Sequence, residues 1–163
     1  MQTYKARELL KLSIGFEEDT QKLYQDWAKK FSRVPVVAAF WQDYSEDEAT
    51  HARLLKELRA RLSRAQLATP IECEVVGDTR KLLTSLKKEE LEDLEQAFQY
   101  ANRLEHSELN PLFILIISFF EADEKAKAML RLLISKHINK PIDNFPVRFL
   151  SSELRRELRC NHA

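Results

Sequence analysis

The chain contains very little glycine, proline or cysteine for its length. Its 163 residues include two glycines and five prolines, which argues for helices joined by short turns rather than a sheet. The two cysteines, Cys73 and Cys160, form no Cys-x-x-Cys pair, so no iron–sulfur or structural zinc site built from such pairs is expected. Leucine, glutamate, lysine, alanine and arginine dominate instead. The composition therefore predicts an all-α protein.

Net charge and long apolar runs are also absent. The 26 basic and 26 acidic residues cancel, so no overall field favours nucleic acid or an anionic membrane. The longest apolar run, from Leu112 to Phe120, is about half of a membrane span. The N-terminus lacks the apolar core of a signal peptide. We therefore expect a soluble, cytoplasmic protein with reduced cysteines, no nucleic-acid partner and no membrane association.

Residues 35–58 contain an apolar helical stripe that is interrupted by two polar residues. Its positions follow alternating steps of four and three residues, as on a helix face in a bundle core: Val37, Trp41, Tyr44, Glu48, His51, Leu55 and Leu58. Glu48 and His51 lie one turn apart on that face. A buried carboxylate needs a partner, and a metal ion bound by Glu-x-x-His is one solution. A polar pair held by Tyr or Trp donors is the simpler alternative.

Apolar periodicity predicts four long helices and a short one. The expected helices cover residues 4–31, 35–61, 85–108, 111–138 and 150–159. Thr3 is a suitable N-cap for the first helix. Residues 62–82 form the one long connection, with extended structure around 71–76 and a helical turn near 79–83.

These boundaries predict one bundle domain over residues 1–140 and a C-terminal extension over residues 141–163. The Leu112–Phe120 run is apolar on more faces than one core requires. We therefore expect a homodimer that buries part of the fourth helix or the C-terminal segment.

The two predicted hairpins resemble each other when the chain is shifted by 76 residues. Pro35 then aligns with Pro111, and Glu48 aligns with Glu124. In both halves the glutamate follows the proline by thirteen residues. This spacing predicts two copies of one helical hairpin joined by a crossover.

Glu17, the Tyr24 that follows seven residues later, and Glu48-x-x-His51 resemble the rubrerythrin-like branch of the ferritin-like proteins. The resemblance covers residues 5–138. It implies a ferritin-like four-helix bundle in which a glutamate from each of helices one and three and a Glu-x-x-His from each of helices two and four hold two iron ions. Carried over to this chain, it implies metal ligands at Glu17, Glu48, His51, Glu95 and Glu124.

The helix-three ligand remains open between three glutamates. Glu95 follows Leu94 as Glu17 follows Phe16, and Glu92 shares its helix face. Glu105 lies close to the proline that begins the fourth helix, so in an antiparallel hairpin it should not be level with the other ligands.

The fourth helix departs from the family pattern at Lys127, where the family has its second histidine. A charged lysine has no lone pair for a metal. If Lys127 reaches inward, its ammonium would neutralise Glu124 and Glu95 in place of a second ion; otherwise it extends to solvent. One metal held by Glu17, Glu48, His51 and Glu124 remains feasible.

The function implied by the resemblance is a non-haem iron oxidoreductase that acts on peroxide or dioxygen. The cofactor would be one iron ion, or none, and manganese or zinc would also suit the carboxylates and imidazole. A separate electron-donor protein would be needed, because the chain lacks the two Cys-x-x-Cys pairs that an internal rubredoxin-type module requires. The alternative is a non-catalytic bundle that serves as a binding or assembly module. Trp27 and Trp41 fit core positions, although a Trp or Tyr near an oxidising metal can carry electrons.

Overall fold

The computed structural model describes residues 2–74, 76–88, 91–105, 145, 146 and 150. In chain order the elements are β1 (Gln2–Lys5), α1 (Ala6–Lys30), α2 (Pro35–Arg61), α3 (Arg64–Ala68), β2 (Pro70–Cys73), α4 (Val76–Lys88) and α5 (Leu94–Glu105). The described part is mainly helical, as predicted. The predicted helix at 111–138 and nearly all of the one at 150–159 lie outside the described residues, and so do Glu124 and Lys127.

The long helices α1 and α2 form an antiparallel hairpin, which is the main packing unit of the described structure. A short connection follows α1, and at its start the Phe31 N–H donates to the Trp27 carbonyl at 2.9 Å. Pro35 occupies the first turn of α2, where its missing N–H needs no helical partner. The predicted limits of this hairpin are confirmed to within about two residues.

The N-terminal segment is a strand, so the expected N-cap at Thr3 is wrong. β1 pairs antiparallel with β2, and Thr3 lies opposite Glu72. Lys5 occupies the N-cap position of α1, and its N–H donates to the Glu8 carboxylate at 2.9 Å. Pairing with a segment about 70 residues away is a tertiary effect that local propensity does not reveal.

The crossover carries more structure than the sequence indicates. Of the extended structure expected around residues 71–76, residues 71–73 are confirmed in β2, whose Ile71 and Cys73 side chains are buried, whereas Val76 already begins α4. The helical turn expected near 79–83 is part of the longer α4, which packs against α1.

The expected start of the third bundle helix at residue 85 is wrong, because α4 ends at Lys88 and α5 begins at Leu94. Asp93 provides the reason. Its carboxylate accepts the Gln96 N–H at 2.8 Å, as an N-cap side chain does. The Lys30 ammonium donates to the Leu91 carbonyl and ties the start of α5 to the end of α1. No helix in the described ranges is long and apolar enough to cross a membrane.

Candidate metal centre

Three potential metal ligands meet on the inner faces of α1 and α2. Glu17 belongs to the buried face of α1, and Glu48 and His51 belong to that of α2. Glu17 is 2% exposed, Glu48 1% and His51 9%. The prediction that Glu48 and His51 point into the core is confirmed, and Glu17 joins them from the neighbouring helix.

Short distances join the three side chains into one cluster. The His51 Nδ1 atom lies 3.2 Å from Glu48 Oε2 and 3.5 Å from Glu17 Oε2. The ligand atoms of the three residues all lie within 4.8 Å of one another. We refer to Glu17, Glu48 and His51 as the carboxylate–imidazole cluster.

Burial and proximity change the protonation of this cluster. Burial alone would lower the pKa of His51, but its contacts with Glu17 and Glu48 outweigh that effect and raise the pKa to about 10. Burial, followed by the charge on Glu48, raises the pKa of Glu17 well above its ordinary value, and the contact with His51 only partly opposes the rise. The metal-free cluster therefore contains an imidazolium that neutralises buried carboxylate charge.

The donor set fits a divalent transition metal ion. Two ligand atoms on opposite sides of an ion, each at about 2.1 Å, lie about 4.2 Å apart, close to the 4.8 Å limit of the cluster. Small side-chain movements would bring all three onto one ion. Carboxylate oxygens with one imidazole nitrogen suit iron(II), manganese and zinc. A metal ion would also supply the positive charge that the protonated ring supplies in its absence.

Glu105 is a further buried carboxylate, at the end of α5. It is 1% exposed, and its Oε1 atom accepts a hydrogen bond of 2.5 Å from the Tyr24 hydroxyl. This is the short distance of a charge-assisted bond. Glu105 is not among the three residues of the cluster, but it joins α5 to the inner face of α1.

The three helix-three candidates differ in burial. Glu92 is exposed, Glu95 is half-buried, and Glu105 is buried. The distance from Pro111 disfavoured Glu105, yet it is the one that reaches the core. Glu105 lies on the apolar stripe of α5 that runs from Leu94 through Phe98 and Ala101 in steps of four, three and four residues. This periodicity indicates that Glu105 faces the core. Within the described ranges, Glu95 is not part of the cluster, so its role as a ligand stays a prediction.

Comparison with protein families gives one result that bears on this geometry. The family model described as Rubrerythrin matches residues 8–133. That range includes α2, α5 and all of α1 except its first two residues, and therefore the whole carboxylate–imidazole cluster. Comparisons with curated proteins and with solved structures gave no significant match.

Proposed function

Because the chain belongs to the rubrerythrin family, we propose that it binds iron at Glu17, Glu48 and His51 and acts as a non-haem iron oxidoreductase on peroxide or dioxygen. The observation that carries the proposal is the buried cluster of three ligand atoms within 4.8 Å of one another. Family membership supports iron as the ion, and the oxygen-rich donor set agrees with that choice.

Each residue of the cluster has a definable task. Glu48 and His51, one turn apart on α2, hold the ion from one side, and Glu17 holds it from α1. His51 must release its proton before its ring can bind a metal. Bound iron would supply a Lewis-acidic centre that can also exchange an electron. His51 is the most exposed of the three, at 9%, so a small oxidant would approach from its side.

Further ligands and partners belong to the same proposal. Glu124 and Glu95 are the additional carboxylates that the family pattern implies, and Lys127 limits the site to one ion, or none. A separate electron-donor protein would return the centre to its reduced form. A homodimer remains the expected assembly.

Metal loading tests the binding part of the proposal. Metal-free protein is incubated with iron(II) without oxygen, excess metal is removed, and bound iron is measured. Glu48→Gln and His51→Gln should each weaken binding by about 100-fold or more, because even neighbours that only orient a ligand contribute 10–100-fold. Glu46→Gln is the matched control on α2, because Glu46 is exposed and contacts Gln42. Equal iron content in all four proteins would contradict the proposal.

Peroxide consumption tests the reaction. The iron-loaded protein, supplied with an artificial electron donor, should consume peroxide faster than its Glu48→Gln variant. If the two rates are equal while iron binding differs, the oxidoreductase activity is refuted and metal binding stands.

One observation favours the alternative of a non-catalytic bundle. His51 Nδ1 lies 3.2 Å from Glu48 Oε2 and 3.5 Å from Glu17 Oε2, and its raised pKa lets the imidazolium compensate part of the carboxylate charge without a metal. The two functions differ in the metal content of protein purified from iron-supplemented cells. Stoichiometric iron favours the oxidoreductase, and metal-free protein that cannot be loaded favours the binding or assembly module.

A further inference from the structure

Four oxidisable side chains form one group of touching rings in the core: Tyr24, Trp27, Trp41 and Tyr44. The ring centroid of Tyr24 lies 5.3 Å from that of Trp27, 5.7 Å from that of Trp41 and 5.1 Å from that of Tyr44. Trp41 lies 4.9 Å from Trp27 and 6.1 Å from Tyr44. Each of the four is at most 4% exposed. These are ordinary distances for aromatic pairs in contact, so the group, here called the Tyr–Trp quartet, is continuous.

The Tyr–Trp quartet extends from the carboxylate–imidazole cluster to the α1–α2 connection. Tyr44 precedes Glu48 by one helical turn, which is about 6 Å along the axis of α2. Trp27 lies near the end of α1, and its carbonyl accepts the Phe31 N–H within the connection. Tyr24 lies between them and contacts the other three rings. Because electron tunnelling weakens exponentially with distance, touching rings exchange electrons far faster than separated ones.

Tyr24 differs from Trp41 in having a carboxylate acceptor for its proton. Its hydroxyl donates to Glu105 Oε1 at 2.5 Å, and a phenol gives up its proton when it loses an electron. The Trp41 Nε1 atom is buried and has no hydrogen-bond partner among the described residues. An oxidised Trp41 would therefore remain a cation radical, which is a stronger oxidant than a neutral tyrosyl radical. An oxidising equivalent that enters at the tryptophans is thus expected to move to Tyr24.

We propose that the Tyr–Trp quartet is a one-electron relay between the carboxylate–imidazole cluster and the surface at the α1–α2 connection, with Tyr24 holding the oxidising equivalent. The inference rests on the proposed function, which supplies a one-electron oxidant at the cluster. That oxidant takes one electron from Tyr24, and the phenolic proton moves to Glu105. The products are a neutral tyrosyl radical, a protonated Glu105 and the oxidant reduced by one electron. A surface reductant, of the electron-donor protein class, returns one electron through Trp27 and Trp41, and Glu105 returns the proton.

A photochemical oxidant attached to the metal-free protein tests the relay separately from metal binding. Ser32 is exposed in the connection, so Ser32→Cys in a Cys73→Ser, Cys160→Ser background can carry a thiol-reactive ruthenium(II) polypyridyl label. Flash excitation with a dissolved electron acceptor gives ruthenium(III), which takes an electron from the protein. We expect transient absorption and electron paramagnetic resonance to show a tyrosyl radical that is lost in Tyr24→Phe. Trp27→Phe and Trp41→Phe should each slow its formation by about tenfold or more.

Two controls separate the relay from general oxidation of the protein. The same label at Ala65→Cys, which is exposed in α3 near the other end of α2, should give slower tyrosyl formation. Tyr4→Phe should leave the signal unchanged, because Tyr4 lies in β1. Circular dichroism establishes that each variant is folded, and a tryptophan variant that fails this test is replaced by Trp→Leu at the same position, because tyrosine would itself be oxidised.

Three results would overturn the relay: no tyrosyl radical in the labelled protein, a radical that persists in Tyr24→Phe, or unchanged kinetics when both tryptophans are replaced. The rings would then serve packing alone. Because the experiment needs no metal ion in the carboxylate–imidazole cluster, its failure leaves the proposed metal binding intact. A protein that binds no iron would likewise leave a positive relay result standing.

Discussion

Replacing Tyr24 by Phe removes one hydroxyl from the core and leaves the aromatic packing in place. The phenol donates to Glu105 Oε1 at 2.5 Å, and both residues are at most 1% exposed. A hydrogen bond to a charged group contributes about 1.5–3 kcal/mol. We therefore expect Tyr24→Phe to lower the free energy of unfolding of the metal-free protein by about 2 kcal/mol. With a urea m-value of about 2 kcal/mol/M, the unfolding midpoint would fall by about 1 M.

Urea unfolding followed by circular dichroism measures this change, and Tyr4→Phe provides a matched control. The Tyr4 hydroxyl also donates to a side chain, Gln2 Oε1 at 2.6 Å, but on the exposed β1 strand. That variant should stay within about 0.5 kcal/mol of the unmodified protein. In a Glu105→Gln background, Tyr24→Phe should cost about 1 kcal/mol less, since a neutral acceptor forms a weaker bond. If Tyr24→Phe is as stable as Tyr4→Phe, or if the stability changes of Tyr24→Phe and Glu105→Gln are strictly additive, the Tyr24–Glu105 hydrogen bond does not stabilise the fold as proposed.

Three further predictions follow from the protonation of the core and from the fourth-helix sequence. Burial raises the pKa of the Tyr24 and Tyr44 hydroxyls well above the ordinary tyrosine value, so the stability of the fold is retained below about pH 10 and declines above it. An alkaline absorbance titration should show both phenols ionising only as the protein unfolds. Their ionisation in the native state would contradict this prediction. The pKa of about 10 for His51 predicts an imidazolium ring at pH 8 in the metal-free protein, which ¹⁵N chemical shifts test; a neutral ring at pH 7 would be inconsistent with the cluster. Lys127→His should raise iron uptake per chain above that of the unmodified protein, while Lys127→Met should not, and equal uptake would remove Lys127 from the site.

The sequence was sufficient for the α1–α2 hairpin because its signals are local. The steps of four and three through Trp41, Tyr44, Glu48 and His51 specify one helix face, and Pro35 marks where the helix begins. Glu17 was harder to assign from periodicity, because it lies at the edge of the apolar stripe of α1. The family resemblance identified it, and its burial places it in the cluster.

The missed features depend on contacts between distant segments or on an unrecognised cap. β1 exists because Gln2–Lys5 pairs with Pro70–Cys73, which no local pattern announces. The break before α5 follows from Asp93, whose capping bond to Gln96 was overlooked among several neighbouring acidic residues. The distance to Pro111 predicts a different level for Glu105 only if the third and fourth helices form a straight antiparallel hairpin. The apolar stripe of α5, which follows the same steps of three and four residues as the stripe that contains Glu48, correctly predicts that Glu105 faces the core.

Anomalous diffraction from crystals of the iron-loaded protein is the most direct test of the metal centre. We expect a peak in contact with the Glu17 and Glu48 carboxylates and the His51 ring, with the His51 Nδ1 atom no longer donating to Glu48. A parallel crystal of Glu48→Gln, treated in the same way, should lose the peak. An iron peak elsewhere, or an unmodified cluster in which His51 still bridges Glu17 and Glu48 after loading, would contradict the central claim.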